Sequence, residues 1–158
     1  MPKPPKIPES VLVVIHTPEL DVLLIERADW PGLWQSVTGA RNHVDEPFAE
    51  TAAREVAEET GILLGSEPVP RNALVDWHHH IQFEIFPKWR HRYADGVTTN
   101  TEHWFSLQVP RRLEVTLAPL EHTAHIWLPY EEAAARCFSW SNRDAILQLP
   151  ARMKERTR

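Results

Sequence analysis

The chain has 158 residues, 42% of them hydrophobic, so it can bury one core but is short for two ordinary domains. Its formal net charge is −5 and its basic residues are scattered, which argues against nucleic acid as a partner. No apolar run approaches the roughly 18 residues of a membrane span, so we expect one domain over residues 1–158, neither exported nor bound to a membrane.

The start of the chain predicts an extended leader followed by paired strands. Residues 1–9 are rich in proline and are expected to be extended. Val11 to Ile15 and Val22 to Ile25 are rich in β-forming residues, and the turn-forming residues between them predict that the two runs pair. A further short strand is expected from Trp34 to Val37.

One helix is expected after a polar loop at residues 40–45. Asp45 can cap the start of this helix, and Pro47 suits its first turn. Gly61 is placed to end it.

The second half of the chain predicts more strands and then helices. The strands are expected at residues 73–77, 81–86, 103–109 and 124–128, and the helices at 129–137 and 141–149, the second ending near Pro150. Residues 152–158 are polar and are expected to form a flexible tail. This order favours an α/β fold, a mixed β-sheet sandwiched between α-helices, over a regular βαβ repeat.

Three carboxylates share one face of the predicted helix. Glu55, Glu58 and Glu59 are spaced i, i+3 and i+4, and each residue advances about 100° around a helix. Like charges at this spacing repel one another unless something neutralises them. Mg²⁺ is a good candidate because it prefers hard oxygen ligands and can bridge to phosphate oxygens. On spacing alone, the solvated side of an amphipathic helix is the more common explanation.

The surrounding sequence favours the metal site over a solvated helix face. Residues 39–62 read GARNHVDEPFAETAAREVAEETGI, which contains G-x6-E-x7-R-E-V-x-E-E-x-G-I. This pattern closely resembles the Nudix box, the signature of the Nudix hydrolase family. The gap between Gly39 and Glu46 is one residue longer than in the family pattern, which we attribute to an insertion in the loop, where extra length costs little.

The resemblance implies a Nudix fold and a metal-dependent pyrophosphohydrolase. Glu55, Glu58 and Glu59 would bind or organise Mg²⁺, for which Mn²⁺ could substitute, and Arg54 would orient a carboxylate. Arg54 and Glu58 lie at i and i+4, so they can pair. The cation would neutralise phosphate charge and orient or activate a water for attack on phosphorus.

Segments outside the box resemble one branch of the family, the dihydroneopterin triphosphate diphosphatases of folate biosynthesis. The likeness runs through VLVVIH, WQSVTG, FEIF, RHRYADGVTTNTEHWF and WSNRDAI, which begin at residues 11, 34, 83, 90 and 140. It implies hydrolysis of dihydroneopterin triphosphate to the monophosphate and pyrophosphate. The residues that would contact this substrate are Lys6, Arg27, Thr38, Phe83, Glu84, Ile85, Phe86 and Ser139.

The chemistry of these residues suits a triphosphate with an organic ring. Lys6 and Arg27 can neutralise phosphate oxygens, residues 83–86 can offer backbone groups and an aromatic wall, and Ser139 can hydrogen-bond a ring heteroatom. An ordinary core position is the competing explanation for the two phenylalanines.

Glu121 lies far from the box in sequence and matches an additional acidic residue of this branch. The resemblance implies that it binds metal, and Glu58 and Glu121 are both candidates for the general base. A base must come within hydrogen-bond reach of the attacking water. An exposed loop carboxylate is the alternative explanation for Glu121.

Histidine and cysteine give no independent metal or disulfide signal. His78, His79 and His80 would alternate between the faces of a strand, so they cannot all bind one ion, and a surface or sheet position is favoured. Cys137 is the single cysteine and cannot form an intrachain disulfide, which fits a reducing, cytoplasmic setting.

Two other functions stay open. One is a broader nucleoside triphosphate pyrophosphohydrolase that removes modified nucleotides, with the same metal site and a less selective pocket. The other is a nucleotide sensor without catalysis, against which the intact set of Glu55, Glu58 and Glu59 argues. The expected partner is a small-molecule triphosphate, not nucleic acid or a membrane.

Overall fold

The computed structural model describes residues 3–156, whose strands form one seven-stranded sheet. The strands are β1 Glu9–His16, β2 Asp21–Arg27, β3 Trp34–Gln35, β4 Val37–Ala40, β5 Leu74–Glu84, β6 Thr99–Gln108 and β7 His122–Pro129. The helices are α1 Phe48–Thr60, α2 Tyr130–Arg136, α3 Trp140–Leu147 and α4 Leu149–Arg156, with short 3₁₀ helices at Arg71–Ala73 and Pro87–Arg92. In this part of the chain, no helix is long and apolar enough to cross a membrane.

β1 lies at the centre of the sheet. It pairs in parallel with β6, from Glu9 opposite Thr101 to His16 opposite Gln108, and it pairs antiparallel with β4. β2 pairs mainly with β7 and meets β1 at the turn, where His16 lies opposite Val22. The predicted pairing of the first two runs is therefore confirmed at their turn, while their longer partners come from distant parts of the chain.

Alternation along β1 fills a core on each face of the sheet. Val11, Val13 and Ile15 pack in the core that includes α1, and Leu12 and Val14 pack in the core that includes α2 and α3. A central strand covered on both faces is expected to be apolar at successive positions. The mixed sheet between helices confirms the predicted fold class.

α1 is held to the sheet by Ala52 and Val56, which are fully buried. It ends at Gly61, whose φ of 77° is the left-handed conformation that glycine adopts readily, as predicted. Its start differs from the prediction, because the helix begins after Pro47 and no side chain caps it, so Asp45 is not the cap. Pro47 has an extended backbone with ψ of 139°, which delays the first helical turn to the residue after it.

The strands differ from the prediction in two regions. The segment from Trp34 to Val37 contains all of β3 and the first residue of β4, and these two strands pair with different strands. Residues 74–84 form one strand where two were predicted. A register shift between Asp76 and His80, with His78 at a φ of 51°, bends this strand without ending it.

The end of the chain is more helical than predicted. α3 ends at Leu147, and Pro150 lies in the first turn of α4, where a missing backbone N–H is tolerated. The helix continues to Arg156, so most of the segment expected to be flexible is helical. Residues 157 and 158 lie outside the described residues.

Candidate functional site

Two adjoining cavities contain all of the predicted site residues. The larger, of about 790 Å³, is lined by the carboxylates of α1, and we call it the acidic cavity. The smaller, of about 520 Å³, is lined by β5, β6 and the start of α3, and we call it the aromatic cavity. The residues that line both cavities form a shared rim: Lys6, Arg27, Gln35, Thr38, Gly39, Ala40, Arg92 and Tyr93. The functions of the predicted residues remain predictions.

The acidic cavity is built where β4 meets α1. Gly39 on β4 faces Glu55 so closely that a Cβ atom at residue 39 would collide with the Glu55 carboxyl group. The absence of a side chain therefore lets α1 approach the strand and places Glu55 over it.

Glu46 and Arg54 form a largely buried ion pair beside this cavity. Arg54 donates to both Glu46 oxygens, at 2.9 and 3.2 Å, and Glu46 also accepts hydrogen bonds from the Thr51 hydroxyl and the Asn42 backbone. The hydrogen bond from Arg54 is the main cause that lowers the pKa of Glu46 to about 2. Glu46 is thus ionised and ties the loop to α1, and the extra loop residue leaves this contact intact.

Arg54 also orients a carboxylate of the predicted metal set. Its Nη1 donates to Glu55 Oε1 at 2.7 Å, while the Glu58 carboxylate lies 3.7 Å away. The predicted pairing of Arg54 with Glu58 is present but is the longer of these contacts. The surrounding carboxylates, Glu46 first, raise the pKa of Arg54, so its guanidinium stays charged.

Glu59 is the most buried carboxyl group that lines the acidic cavity, with 2% of its surface exposed. Burial, and then the charge of Glu55 beside it, raises the pKa of Glu59 well above its usual value. Its Oε2 receives no hydrogen bond from any described residue, and His122 Nε2 lies 3.5 Å from its Oε1. A buried carboxyl oxygen of this kind requires a proton or a cation.

Two exposed carboxylates complete the acidic set. The Glu58 side chain is 56% exposed, and Glu121 is exposed in the segment before β7. The backbone carbonyl of Glu121 accepts a hydrogen bond from Ala28 at 2.9 Å, which ties that segment to the end of β2. The charge of Glu121 further raises the pKa of Glu59.

The donor chemistry of this set fits a divalent cation. Glu55, Glu58, Glu59 and Glu121 line one cavity, and hard oxygen atoms suit such a cation. Glu59 Oε2, which has no hydrogen-bond partner among the described residues, is an available ligand. Within residues 3–156, no group of three or more His, Cys, Asp or Glu side chains is already arranged to hold a metal ion. Several of these carboxylates would therefore have to turn to bind one cation, and a bound cation would oppose the burial that raises the pKa of Glu59.

Arg27 is oriented at the rim by Asp29 and Trp89. It donates two hydrogen bonds to Asp29, at 2.7 and 2.9 Å, and its guanidinium lies 4.3 Å from the centre of the Trp89 ring. The hydrogen bond from Arg27 lowers the pKa of Asp29, so both groups are charged. Trp89 Nε1 also donates to Asp29, at 3.1 Å, which links the rim to the aromatic cavity.

Lys6 is a second cation at the rim, and it belongs to the segment before β1. Its backbone N–H donates to Arg92 at 2.8 Å, so the predicted leader is attached to the protein at this residue. Partial burial, and then the charge of Arg92, lowers the pKa of Lys6, while Glu55 and Glu59 oppose that shift. The ammonium group therefore faces both the acidic set and another cation.

Four aromatic rings cluster beside the aromatic cavity, and three of them line it. Each ring contacts the other three. Their centroids are 5.5 to 6.3 Å apart, and the rings belong to Trp30, Phe86, Trp89 and Phe138. Phe86 is 42% exposed, so it is not an ordinary core residue. Phe83 is half-buried, and Ile85 is buried.

Two predicted contact residues also hold the framework together. Thr38 donates its hydroxyl hydrogen to the Val11 carbonyl at 3.0 Å and keeps its acceptor capacity. Ser139 caps α3 by accepting a hydrogen bond from the Asn142 backbone at 3.1 Å. Both side chains are thus fixed in position at the aromatic cavity.

Comparison with known proteins identifies the family. The sequence model of the NUDIX domain family matches residues 6–149 of this chain. The chain belongs to the Nudix hydrolase family. The predicted resemblance is confirmed.

Individual relatives narrow the match within the Nudix family. The dihydroneopterin triphosphate diphosphatase of Escherichia coli strain K12 is 44% identical over 90% of this chain and 92% of its own length. The Haemophilus influenzae protein of the same name is 38% identical over 87% of this chain and 84% of its own. The structure of the E. coli dihydroneopterin triphosphate pyrophosphohydrolase matches with a TM-score of 0.84, covering 92% of this chain and 97% of that one. The predicted likeness to this branch is confirmed.

The Nudix site contains residues that the sequence did not single out. His122 follows Glu121 and contacts Glu59, and Asn100 and Glu102 line the aromatic cavity. Asn100 and Glu102 are two residues apart, a spacing that places two side chains on the same face of a strand. That pattern shows that they share a face but not which face, because the face depends on pairing between distant strands.

The three consecutive histidines line neither cavity. His78 is exposed at the register shift, and its backbone N–H donates to Asp76 at 2.8 Å. The ring of His79 lies 4.7 Å from that of Trp104, and His80 is exposed on β5. The structure thus places all three on the sheet.

Proposed function

We propose that this Nudix hydrolase converts dihydroneopterin triphosphate to dihydroneopterin monophosphate and pyrophosphate, a step of folate biosynthesis, with Mg²⁺ or, in its place, Mn²⁺. The observation that carries this proposal is the junction of an acidic and an aromatic cavity over one basic rim. A triphosphate with an organic ring needs both kinds of surface. The two relatives with this name, each matched over most of its length, support the proposal.

The phosphate chain belongs in the acidic cavity, where its charge has to be neutralised. Held by Glu55, Glu58, Glu59 and Glu121, a divalent cation would neutralise phosphate oxygens and lower the pKa of an attacking water. Arg54 keeps Glu55 in position through its 2.7 Å hydrogen bond. The rim cations Lys6 and Arg27 contact phosphate oxygens.

The reaction hydrolyses one phosphoanhydride bond. A water oxygen forms a new bond to phosphorus, the bridging P–O bond breaks, and pyrophosphate leaves. The water proton passes to a carboxylate. Glu58 and Glu121 are both exposed in the acidic cavity, so both are candidates to accept it.

The organic ring belongs in the aromatic cavity. Phe83 and Phe86 offer ring faces, and the backbone of Glu84 and Ile85 offers hydrogen-bonding groups at the same wall. Ser139 lines the same cavity at the start of α3. These contacts distinguish substrates that share the same phosphate chain.

A substrate panel tests the proposal. Purified protein with Mg²⁺ is given dihydroneopterin triphosphate, GTP and dATP in separate and mixed reactions, and the products are identified. We expect kcat/KM for dihydroneopterin triphosphate to exceed that for either nucleotide by about tenfold or more, because one unpaired buried polar group already gives such discrimination. Mn²⁺ in place of Mg²⁺ should retain turnover.

Other outcomes of the panel would support a different function or a different cleavage position. Equal or better use of the nucleotides would favour the broader pyrophosphohydrolase, and substrate binding without turnover would favour the sensor. Release of single orthophosphate would contradict the proposed cleavage position even if the pterin compound were preferred.

A further inference from the structure

Two buried polar residues at the aromatic cavity have no part in the mechanism above. Asn100 and Glu102 are 3% and 5% exposed, and both line this cavity. They are alternate residues of β6, so their side chains lie on the same face of the sheet. Buried polar groups at these positions require partners.

Glu102 is held by hydrogen bonds that satisfy only part of its capacity. Trp104 Nε1 donates to Glu102 Oε1 at 3.0 Å. Burial raises the pKa of Glu102 to about 7, although Trp104 and Ser141 act in the opposite direction through hydrogen bonds. An ionised carboxylate accepts about four hydrogen bonds, so room remains for donors from a bound molecule.

Asn100 presents a second acceptor on the same face. Its Nδ2 donates to Ser10 Oγ at 2.7 Å, which fixes the amide. Its Oδ1 is buried and has no hydrogen-bond donor among the described residues. Leaving a buried carbonyl unpaired is unfavourable, so a ligand N–H that donates to it would be stabilising.

We infer that Glu102 is a specificity-determining residue that accepts hydrogen bonds from the 2-amino group and the adjacent ring N–H of a 2-amino-4-oxopyrimidine ring, with Asn100 Oδ1 accepting a further ring N–H. This inference rests on the proposed function, because it places the organic ring of the substrate in the aromatic cavity. The aromatic rings around the cavity supply the stacking surface, and the two acceptors supply the hydrogen-bond recognition.

The chemistry of the ring explains why a carboxylate suits it. The 2-amino-4-oxopyrimidine edge carries two neighbouring N–H donors, which match the two oxygens of one carboxylate. Pterin and guanine both carry this edge, whereas hypoxanthine lacks the 2-amino group and adenine has a different donor pattern. Glu102 therefore selects a class of ring, and discrimination of pterin from guanine has to come from other contacts.

The test compares GTP with ITP, which differ by the 2-amino group. Their dissociation constants are measured by calorimetry at about pH 8 for the wild-type protein and for Glu102→Gln. The wild-type protein should bind GTP about tenfold more tightly than ITP, and Glu102→Gln should reduce this ratio to within about twofold. The glutamine keeps an oxygen for Trp104 but turns an N–H₂ group toward the ligand donors.

A matched control tests whether the loss of any carboxylate changes the ratio. Glu132→Gln changes an exposed residue of α2 outside both cavities, so it should keep the wild-type ratio. Equal binding of GTP and ITP by the wild-type protein, or an unchanged ratio in Glu102→Gln, would overturn the inference.

The proposed function is judged by a separate measurement. In the same variants, kcat/KM for dihydroneopterin triphosphate should fall at least about tenfold in Glu102→Gln, mainly through KM. A wild-type enzyme that uses nucleotides as well as the pterin compound would defeat the proposed function, yet the GTP to ITP ratio would still test Glu102. A pterin-preferring enzyme with no change in Glu102→Gln would defeat the inference alone.

Discussion

The three carboxylates of the box share a spacing pattern but differ in environment. Glu59 is 2% exposed, whereas the Glu58 side chain is 56% exposed, and Glu55 is held by Arg54. The helix places them on one face, but the surrounding structure buries them to different extents. Burial raises the pKa of Glu59 well above its usual value, so we expect its ionisation to depend most on a cation.

Replacement of Glu59 should therefore abolish most of the activity. We expect Glu59→Gln, which keeps the shape but removes the charge, to lower kcat by at least about a hundredfold at saturating Mg²⁺. Steady-state kinetics measures the effect, and circular dichroism checks the fold. Glu50→Gln is the matched control on the same helix, because Glu50 is exposed and pairs only weakly with Arg71, at 3.5 Å. Near-normal turnover in folded Glu59→Gln would refute its assignment to the metal site.

Glu121 and Glu58 can be separated by comparing turnover with binding. Glu121→Gln should lower kcat by about a hundredfold and change KM little, because metal or base work is expressed in the transition state. Glu58→Gln is measured in parallel across pH. The base is the residue whose loss removes the acidic limb of the pH profile of kcat. Unchanged kcat and KM in Glu121→Gln would return this residue to the role of an exposed loop carboxylate.

Glu102 should make the stability of the protein depend on pH. Its pKa is about 7 in the folded protein and about 4.5 when unperturbed, so between these values the folded state binds more protons than the unfolded state. The free energy of unfolding therefore falls as pH rises through this window, by about 3 kcal/mol from this group. Glu102→Gln removes this pH dependence. The free energy of unfolding of the variant minus that of the wild type should therefore rise by roughly 2 to 3 kcal/mol from about pH 5 to about pH 8. Urea unfolding of both proteins at both pH values measures this difference. The same difference at about pH 5 and about pH 8 would contradict a raised pKa of Glu102 in the folded protein.

At the scale of elements, local spacing predicted α1 and its end correctly but not its first residue. The end follows from Gly61 alone, whereas the start depends on how Pro47 and the loop bound by Glu46 enter the helix. The strands were placed approximately, but the partners of β1 were not predictable. Its long pairings are with β4 and β6, and pairing between distant segments leaves little local signal.

The contact between β4 and α1 predicts a strong effect from one methyl group. Gly39→Ala should push the Glu55 carboxyl group away from its place and lower kcat by about tenfold or more, because small displacements of catalytic groups are costly. A double-mutant cycle with Glu55→Ala is the control. Once the colliding carboxyl group is removed, Gly39→Ala should cause little further loss. Additive losses would show that the alanine acts by some route other than Glu55.

At the scale of the whole molecule, the sequence predicted one half of the site better than the other. The box residues lie close together along one helix, so their spacing alone brings them together. His122, Asn100 and Glu102 reach the two cavities only through the register of strands that are distant in sequence. Resemblance supplied the predictions for Glu121 and Ser139, and the structure places them at the acidic and the aromatic cavity.

A divalent cation should stabilise the whole fold. Burial raises the pKa of the Glu59 carboxyl group, and its Oε2 receives no hydrogen bond within residues 3–156. A cation that binds only the folded state at about 100 times its dissociation constant adds about 2.7 kcal/mol, or roughly 5 to 10 °C in Tm for a chain of this size. Because a proton competes with the cation at Glu59, the rise in Tm should be larger at about pH 8 than at about pH 6. Thermal unfolding after EDTA treatment, with and without added Mg²⁺, measures it for wild type, Glu59→Gln and Glu50→Gln. The rise should persist in Glu50→Gln and shrink in Glu59→Gln, and an equal rise in all three would place the stabilising cation away from the acidic cavity.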